Sequence, residues 1–159
     1  MDIKMILTDV DGVLTDGSIN ISESGELYKK FCVKDGFIVS VAQKQGIIIG
    51  VISGRKSRIV DVRCEELKIS EVFQGVKDKV EICKKILAKH NLNWDNIAYI
   101  GDDVPDIKLL KRVKYSGAPA DAVKKVRDVV SFVSQFNGGS GAFREFVETI
   151  IEANSQNFV

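Results

Sequence analysis

Four short stretches hold the residues best suited to polar chemistry, and each follows directly on an apolar run. Asp9-Val10-Asp11-Gly12-Val13 follows residues 5–8, and Ser53-Gly54-Arg55 follows residues 47–52. The stretch from Gln74 to Lys79 follows Val72-Phe73, and Gly101-Asp102-Asp103-Val104-Pro105-Asp106 follows residues 97–100. Several carboxylates with no Cys/His cluster favour a hard cation on oxygen ligands, and Mg²⁺ suits partial protein coordination completed by a substrate phosphate. A hydroxyl, a backbone N–H and a lysine are what the oxygens of a phosphoryl group need. Asp9 and Asp11 can divide the labour of nucleophile and general acid/base, because aspartyl-phosphate chemistry splits hydrolysis into two steps. The set reads as phosphoryl transfer.

For these groups to meet, the runs before them must be strands that end on one edge. Continuous apolar runs suit strands covered on both faces, as in parallel sheets. Residues 5–8, 47–52 and 97–100 read as such strands, with weaker candidates at 72–73 and 129–133. Helical spacing appears at 37–45, 56–67, 78–90, 104–111 and 142–152, with Asp78 a candidate cap. This alternation predicts an α/β fold, a doubly wound parallel sheet of Rossmann-like type, over a single domain spanning 1–159. Ligands in such sheets bind beyond the carboxyl ends of the strands. Residues 18–22 and 27–33, flanking Glu23-Ser24-Gly25-Glu26, read as a β-hairpin that projects from the sheet.

Composition narrows the partners. The 159 residues carry 23 Lys plus Arg against 22 Asp plus Glu. That balance provides no electrostatic footprint for nucleic acid or an anionic membrane, so any anion must be caught by a local site. Cys32, Cys64 and Cys83 lie far apart, and the first residues carry no long apolar run. A reduced, cytoplasmic chain without a signal peptide is the expectation.

The motifs carry a resemblance. Asp9-Val10-Asp11-Gly12-Val13, Ser53, Lys79 and Gly101-Asp102-Asp103 resemble, in order, the four motifs of the haloacid dehalogenase superfamily of phosphatases. The run from Asp11 to Gly17, Ile52-Ser53-Gly54-Arg55-Lys56, Phe73-Gln74-Gly75 and the stretch from Gly138 to Glu145 extend the match. Together they are similar to the small phosphatases acting on 3-deoxy-D-manno-octulosonate 8-phosphate or on related nonulosonate (sialic acid type) 9-phosphates, and so to lipopolysaccharide precursor chemistry. The resemblance implies that Asp9 attacks phosphorus and binds Mg²⁺, and that Asp11 protonates the leaving oxygen, activates water and lends its carbonyl to the metal. It implies phosphate contacts from Ser53 and the Gly54 N–H, charge compensation from Lys79, and Asp102 as a metal ligand with Asp103 and Asp106 orienting it. Arg55, Arg63 and Arg144 are the candidates for the carboxylate of a sugar acid. Gly117-Ala118-Pro119-Ala120-Asp121 looks closer to the sialic-acid branch and leaves the sugar open.

Blander readings compete. Lys77 stands two residues before Lys79 as a solvated alternative, and His90 lies on an apolar stripe, where a structural role is expected. A phospho-acceptor receiver domain shares the fold type, but its acceptor aspartate is missing after the central strand. A non-catalytic assembly module of a sialic-acid activating system predicts a lost acid or lysine, and Asp9, Asp11, Lys79 and Asp102 are all present. The intervals from Asp11 to Ser53 and from Ser53 to Lys79 are too short for a cap domain. Water exclusion must then come from elsewhere, such as a neighbouring subunit; the resemblance implies a homotetramer, with the hairpin as the expected contact and the segment from Gly138 to Arg144 reaching a partner's site.

Overall fold

A computed structural model describes residues 1–155. Five of the expected runs and one stretch not read as a strand, Tyr115–Ala118, form six parallel strands: β1 (Met5–Thr8), β4 (Ile48–Ile52), β5 (Glu71–Phe73), β6 (Ile97–Ile100), β7 (Tyr115–Ala118) and β8 (Phe132–Val133). Their order is β5-β4-β1-β6-β7-β8, and every neighbouring pair is parallel. All four residues of β1 and of β6 are buried, which is why their sequences do not alternate. The hairpin forms a separate antiparallel ribbon of β2 (Asn20–Ser22) and β3 (Gly25–Tyr28). It turns at Glu23-Ser24, and the stretch expected to continue its second strand leaves the ribbon at Lys29.

Helices cover both faces. On one side α1 (Val33–Lys44), α2 (Arg58–Glu66) and α6 (Ala142–Ser155) bury Ile38, Val39, Val60, Phe143 and Phe146 with Ile6 and Ile49. On the other, α3 (Lys79–His90), α4 (Ile107–Leu110) and α5 (Lys124–Arg127) bury Cys83, Ile86, Leu109 and Val126 with Met5, Leu7 and Tyr99. Cys32, Cys64 and Cys83 are free thiols. Asp78 caps α3, its carboxylate accepting the N–H groups of Val80 (3.0 Å) and Glu81 (3.1 Å). At the far end of α3, His90 pairs with the buried Glu71 of β5 (2.9 Å), the structural role expected of it.

Between Asp11 and Ser53 the chain builds only the hairpin, α1 and β4, and between Ser53 and Lys79 only α2 and β5. No cap domain stands over the sheet among the described residues. No helix among them is long and apolar enough to cross a membrane.

Candidate active site

Thr8 of β1 pairs with Val51 of β4 on one side and Ile100 of β6 on the other, so β1 and β6 end level and β4 runs one residue further. Asp9, Ser53 and Asp102 therefore leave the same edge. The Asp9 N–H closes onto the Ile100 carbonyl (3.1 Å) and the Ser53 N–H onto that of Phe73 (2.8 Å), fixing both take-off points.

Asp9 is held at both oxygens. Oδ1 accepts the Val10 N–H (2.7 Å) and Oδ2 accepts Lys79 Nζ (2.6 Å). Lys79, the first residue of α3, also donates to Asp106 Oδ1 (2.6 Å) and to the Tyr99 hydroxyl (3.1 Å). Asp106 is saturated: Oδ1 also accepts the Tyr99 hydroxyl (2.6 Å), and Oδ2 accepts the N–H groups of Asp102 (3.0 Å) and Asp103 (3.2 Å). Burial works to lower the Lys79 pKa, but Asp9 and Asp106 outweigh it and the value is raised, so the ammonium stays charged.

The carboxylates crowd one another. Burial lifts Asp9 to about 6, with Lys79 opposing and Asp106 adding to the rise. Asp102 is lifted to about 7 by burial and then by Asp9, Asp106 and Asp103. Its carboxylate accepts no hydrogen bond from a described residue and lies against Gly12. A Cβ at Gly12 would stand 2.0 Å from Asp102 Oδ2, and that glycine has φ +88°. Two crowded acids, one of them uncompensated, leave a place for a cation. Asp9, Asp102 and Asp106 each present an oxygen within 4.8 Å of the others. Because Asp106 already accepts four donors, the pair left for a metal is Asp9 and Asp102, with the Asp11 carbonyl on the same cleft, which accepts no hydrogen bond from a described residue, as a third oxygen. This all-oxygen donor set fits a small hard divalent cation.

Asp9, Asp11, Ser53, Gly54, Arg55, Lys79, Asp102, Asp103 and Asp106 line one open cleft of about 310 Å³, together with Lys77. The phosphate-side loop is braced by the 74–76 segment, where the Val76 N–H meets the Ser53 carbonyl (3.0 Å) and the Gly75 N–H that of Arg55 (3.1 Å). Two expected substrate contacts are not on this cleft. Arg63 pairs with Glu66 (2.8 Å) and lies over the Phe31 ring at 5.6 Å, because its turn of α2 faces α1 rather than the strand ends. Arg144 pairs with Glu148 (2.7 Å) and lies over Phe37, the surface ion pair that competes with any ligand role. The segment before it packs on its own chain. The Gly139 N–H donates to the Val13 carbonyl (2.9 Å), and a Cβ at Gly138 would meet the Gly12 carbonyl oxygen at 2.0 Å. Residues 138–141 thus clamp the Asp9–Asp16 loop of their own chain.

Two residues of the site, Tyr99 and Lys29, escaped the sequence reading, and Gln74 stood in a quoted motif with no role assigned to it. Tyr99 is a polar tip in a strand that reads as apolar, and Gln74 anchors the start of α2 by accepting the Ser57 N–H (2.9 Å). Lys29, with its side chain 1% exposed, donates to Asp11 Oδ1 (2.6 Å) and lies 2.8 Å from Glu26 Oε1. The Glu26/Lys29 spacing is the signal that could have found it, and it was not drawn on.

A parallel sheet carrying an Asp-x-Asp loop, a hydroxyl loop, a lysine and a distal acid at its strand ends defines a class of phosphotransfer hydrolase. The chain belongs to the haloacid dehalogenase-like hydrolases, whose family model matches residues 58–146. It is 35% identical over 155 residues to the 3-deoxy-D-manno-octulosonate 8-phosphate phosphatase of Escherichia coli, covering 98% of this chain and 82% of that one. Identity to the Haemophilus influenzae phosphatase of the same name is 37% over 158 residues, covering 99% and 88%. The cobalt-bound structure of the H. influenzae enzyme superposes with a TM-score of 0.94 at 37% identity, over 97% of this chain and 90% of that one. The Moraxella catarrhalis enzyme in complex with magnesium ion, phosphate ion and a KDO molecule does so with 0.92 at 36% identity, over 96% and 87%.

Proposed function

We propose that this chain is a Mg²⁺-dependent phosphatase that hydrolyses 3-deoxy-D-manno-octulosonate 8-phosphate through an aspartyl-phosphate intermediate. The observation that carries the reading is the convergence of Asp9, Asp11, Lys79 and the uncompensated Asp102 on one cleft at the strand ends. The names of the relatives supply the sugar.

Asp9 attacks phosphorus while the bond from phosphorus to the sugar oxygen breaks, and Asp11 gives that oxygen its proton. Asp11, now a base, takes a proton from water, which attacks phosphorus and returns free Asp9 and inorganic phosphate. Lys79 holds Asp9 and offsets charge on the transferring group, and the Ser53 hydroxyl and Gly54 N–H face the phosphate oxygens. Asp9, Asp102 and the Asp11 carbonyl would hold Mg²⁺, which supplies positive charge against the phosphoryl group. Arg55 and Lys77 stand on the cleft wall, and among the described residues Lys77 has no ion-pair partner, so Arg55 is kept and Lys77 takes the place of Arg63 and Arg144 as a partner for the sugar-acid carboxylate. The segment that looked closer to the sialic-acid branch forms β7 and the loop whose Asp121 accepts the Gly138 N–H (2.9 Å). It does not line the cleft and does not favour a nonulosonate substrate.

The single domain, the homotetramer, the cytoplasmic setting and the absence of nucleic-acid or membrane partners belong to the same proposal. Near-neutral charge and free cysteines support the setting, and apolar hairpin residues support the assembly. The test is phosphate release from octulosonate 8-phosphate and neuraminate-type 9-phosphates with Mg²⁺, then after chelation, then with Mg²⁺ restored. Preferred turnover of the octulosonate ester, silenced and recovered with the metal, is the expected result. A preference for the nine-carbon acid reassigns the substrate, and turnover that survives chelation removes the metal from the mechanism.

A further inference from the structure

The site contains two buried lysines, and the mechanism above uses only Lys79. Lys29 lies in the segment leaving the hairpin, 18 residues from Asp11, yet its side chain is as little exposed to solvent as that of Lys79. A buried ammonium is costly unless it is paired on good geometry. Lys29 meets that condition at Asp11 Oδ1, to which it donates (2.6 Å), and it forms a second ion pair with the buried Glu26 Oε1 (2.8 Å), an oxygen that accepts no hydrogen bond from a described residue. Glu26 is itself tied down, because its other oxygen accepts the Ser57 hydroxyl at the start of α2. The Ser57 N–H is held in turn by Gln74, whose amide donates to Asp61 (2.7 Å). The hairpin is therefore fastened to the segment that begins with the phosphate loop. Asp11 has its remaining oxygen, Oδ2, turned from this network. That oxygen accepts no hydrogen bond from a described residue, and Arg55 Nε stands 3.8 Å away.

We propose that the Glu26–Lys29 pair of the hairpin is the positioning device for Asp11, fixing one carboxylate oxygen so that the other is aimed at the leaving group. Each catalytic carboxylate then has its own buried lysine, Lys79 for the nucleophile and Lys29 for the proton carrier. The proposal rests on the phosphatase reading. It makes the hairpin part of the catalytic machinery, through a residue that touches no reacting atom. Proton transfer demands heavy-atom approach near hydrogen-bond distance, and small displacements of the donor are expensive in rate.

Aryl phosphates graded by leaving-group acidity provide the test, read as kcat/KM, which reports steps through the departure of the alcohol. A 4-nitrophenolate leaves with little help, whereas phenolate needs the proton of Asp11. Lys29→Met is expected to lose roughly 10–100-fold on phenyl phosphate and less than about 3-fold on 4-nitrophenyl phosphate, imitating the pattern of Asp11→Asn. Glu26→Gln, at a partly exposed position, is expected to show the same pattern more weakly, and it carries the test if Lys29→Met does not fold. Circular dichroism and Tm verify folding of both. An equal loss along the series, in an active wild type, makes the pair a scaffold and overturns the proposal alone. A wild type inert toward every ester overturns the phosphatase reading and the proposal with it.

Discussion

At the scale of single residues, the site is organised by saturation and its absence. Asp106 accepts four donors and is spent, whereas Asp102 accepts none and keeps its oxygens for a cation. Gly12 is the residue that permits this, since only a missing side chain lets its positive-φ backbone pass Asp102. Gly12→Ala is expected to weaken Mg²⁺ binding by roughly 10–100-fold, read as a rise in the Mg²⁺ needed for half-maximal phosphate release. An unchanged Mg²⁺ requirement would remove Asp102 from the metal site. Asp9→Asn is expected to abolish turnover, because an amide does not form the acyl phosphate; substantial activity in the purified variant would falsify the choice of nucleophile. The residues that meet on the cleft were legible in the sequence because each stands at a fixed offset from an apolar run. Lys29 was not, since a lysine beside a hairpin looks solvated until the fold brings it 18 residues back to Asp11. Arg63 was misplaced for a related reason: sequence nearness to Ser53 says nothing about which face of α2 a side chain takes.

At the scale of elements, legibility followed the strength of the local pattern. β1, β6 and α3 stand where their apolar runs and the Asp78 cap put them. β7 was missed because Ser116 and Gly117 break any apolar run, Gly117 being small where the Phe146 ring lies against the strand. The start of α1 was missed because Val33 and Phe37 are exposed and blur its amphipathic pattern. α3 matters most to function, since its first residue is Lys79. Asp78→Ala is expected to cost about 1 kcal/mol, lowering Tm by about 2–4 °C. Its kcat should fall as well, because the cap places the turn that carries Lys79. The other end of α3 is tied to β5 through Glu71. Burial acts to raise the Glu71 pKa, but Lys89 and His90 outweigh it and the value lies below the ordinary 4.5. A lowered acid contributes stability that is present above its unfolded pKa and is lost as pH falls through the folded one. The Tm gap between wild type and Glu71→Gln is therefore expected to be steady near neutrality and to close below about pH 4. A gap that widens in acid would show that the pair does not stabilise the folded chain.

At the scale of the whole molecule, the open question is what shields a site with no cap. The cleft is open, and water exclusion and remote contacts both aid phosphoryl transfer. A two-stranded ribbon is marginal by itself. Here it is pinned at one end by Glu26 and Lys29 while Ile19, Ile21 and Tyr28 stay exposed, with Ile21 at 67%. Val33 and Phe37, on the first turns of α1, are exposed as well. Apolar side chains gathered in the stretch from 19 to 37 mark an interaction surface rather than scattered surface residues. A second copy of the chain is the partner we expect there, because the same ribbon also holds Asp11, the proposed proton carrier, through Lys29. Light scattering is expected to show four times the 17.6 kDa chain mass. Placing Lys at both Ile21 and Tyr28 should shift that mass toward one chain. The same double variant should raise KM for the sugar-acid phosphate more than for 4-nitrophenyl phosphate, since the small aryl ester asks less of a neighbouring wall. A wild-type monomer with full activity on the sugar phosphate would mean that the cleft works uncovered, and that the apolar hairpin faces some other partner.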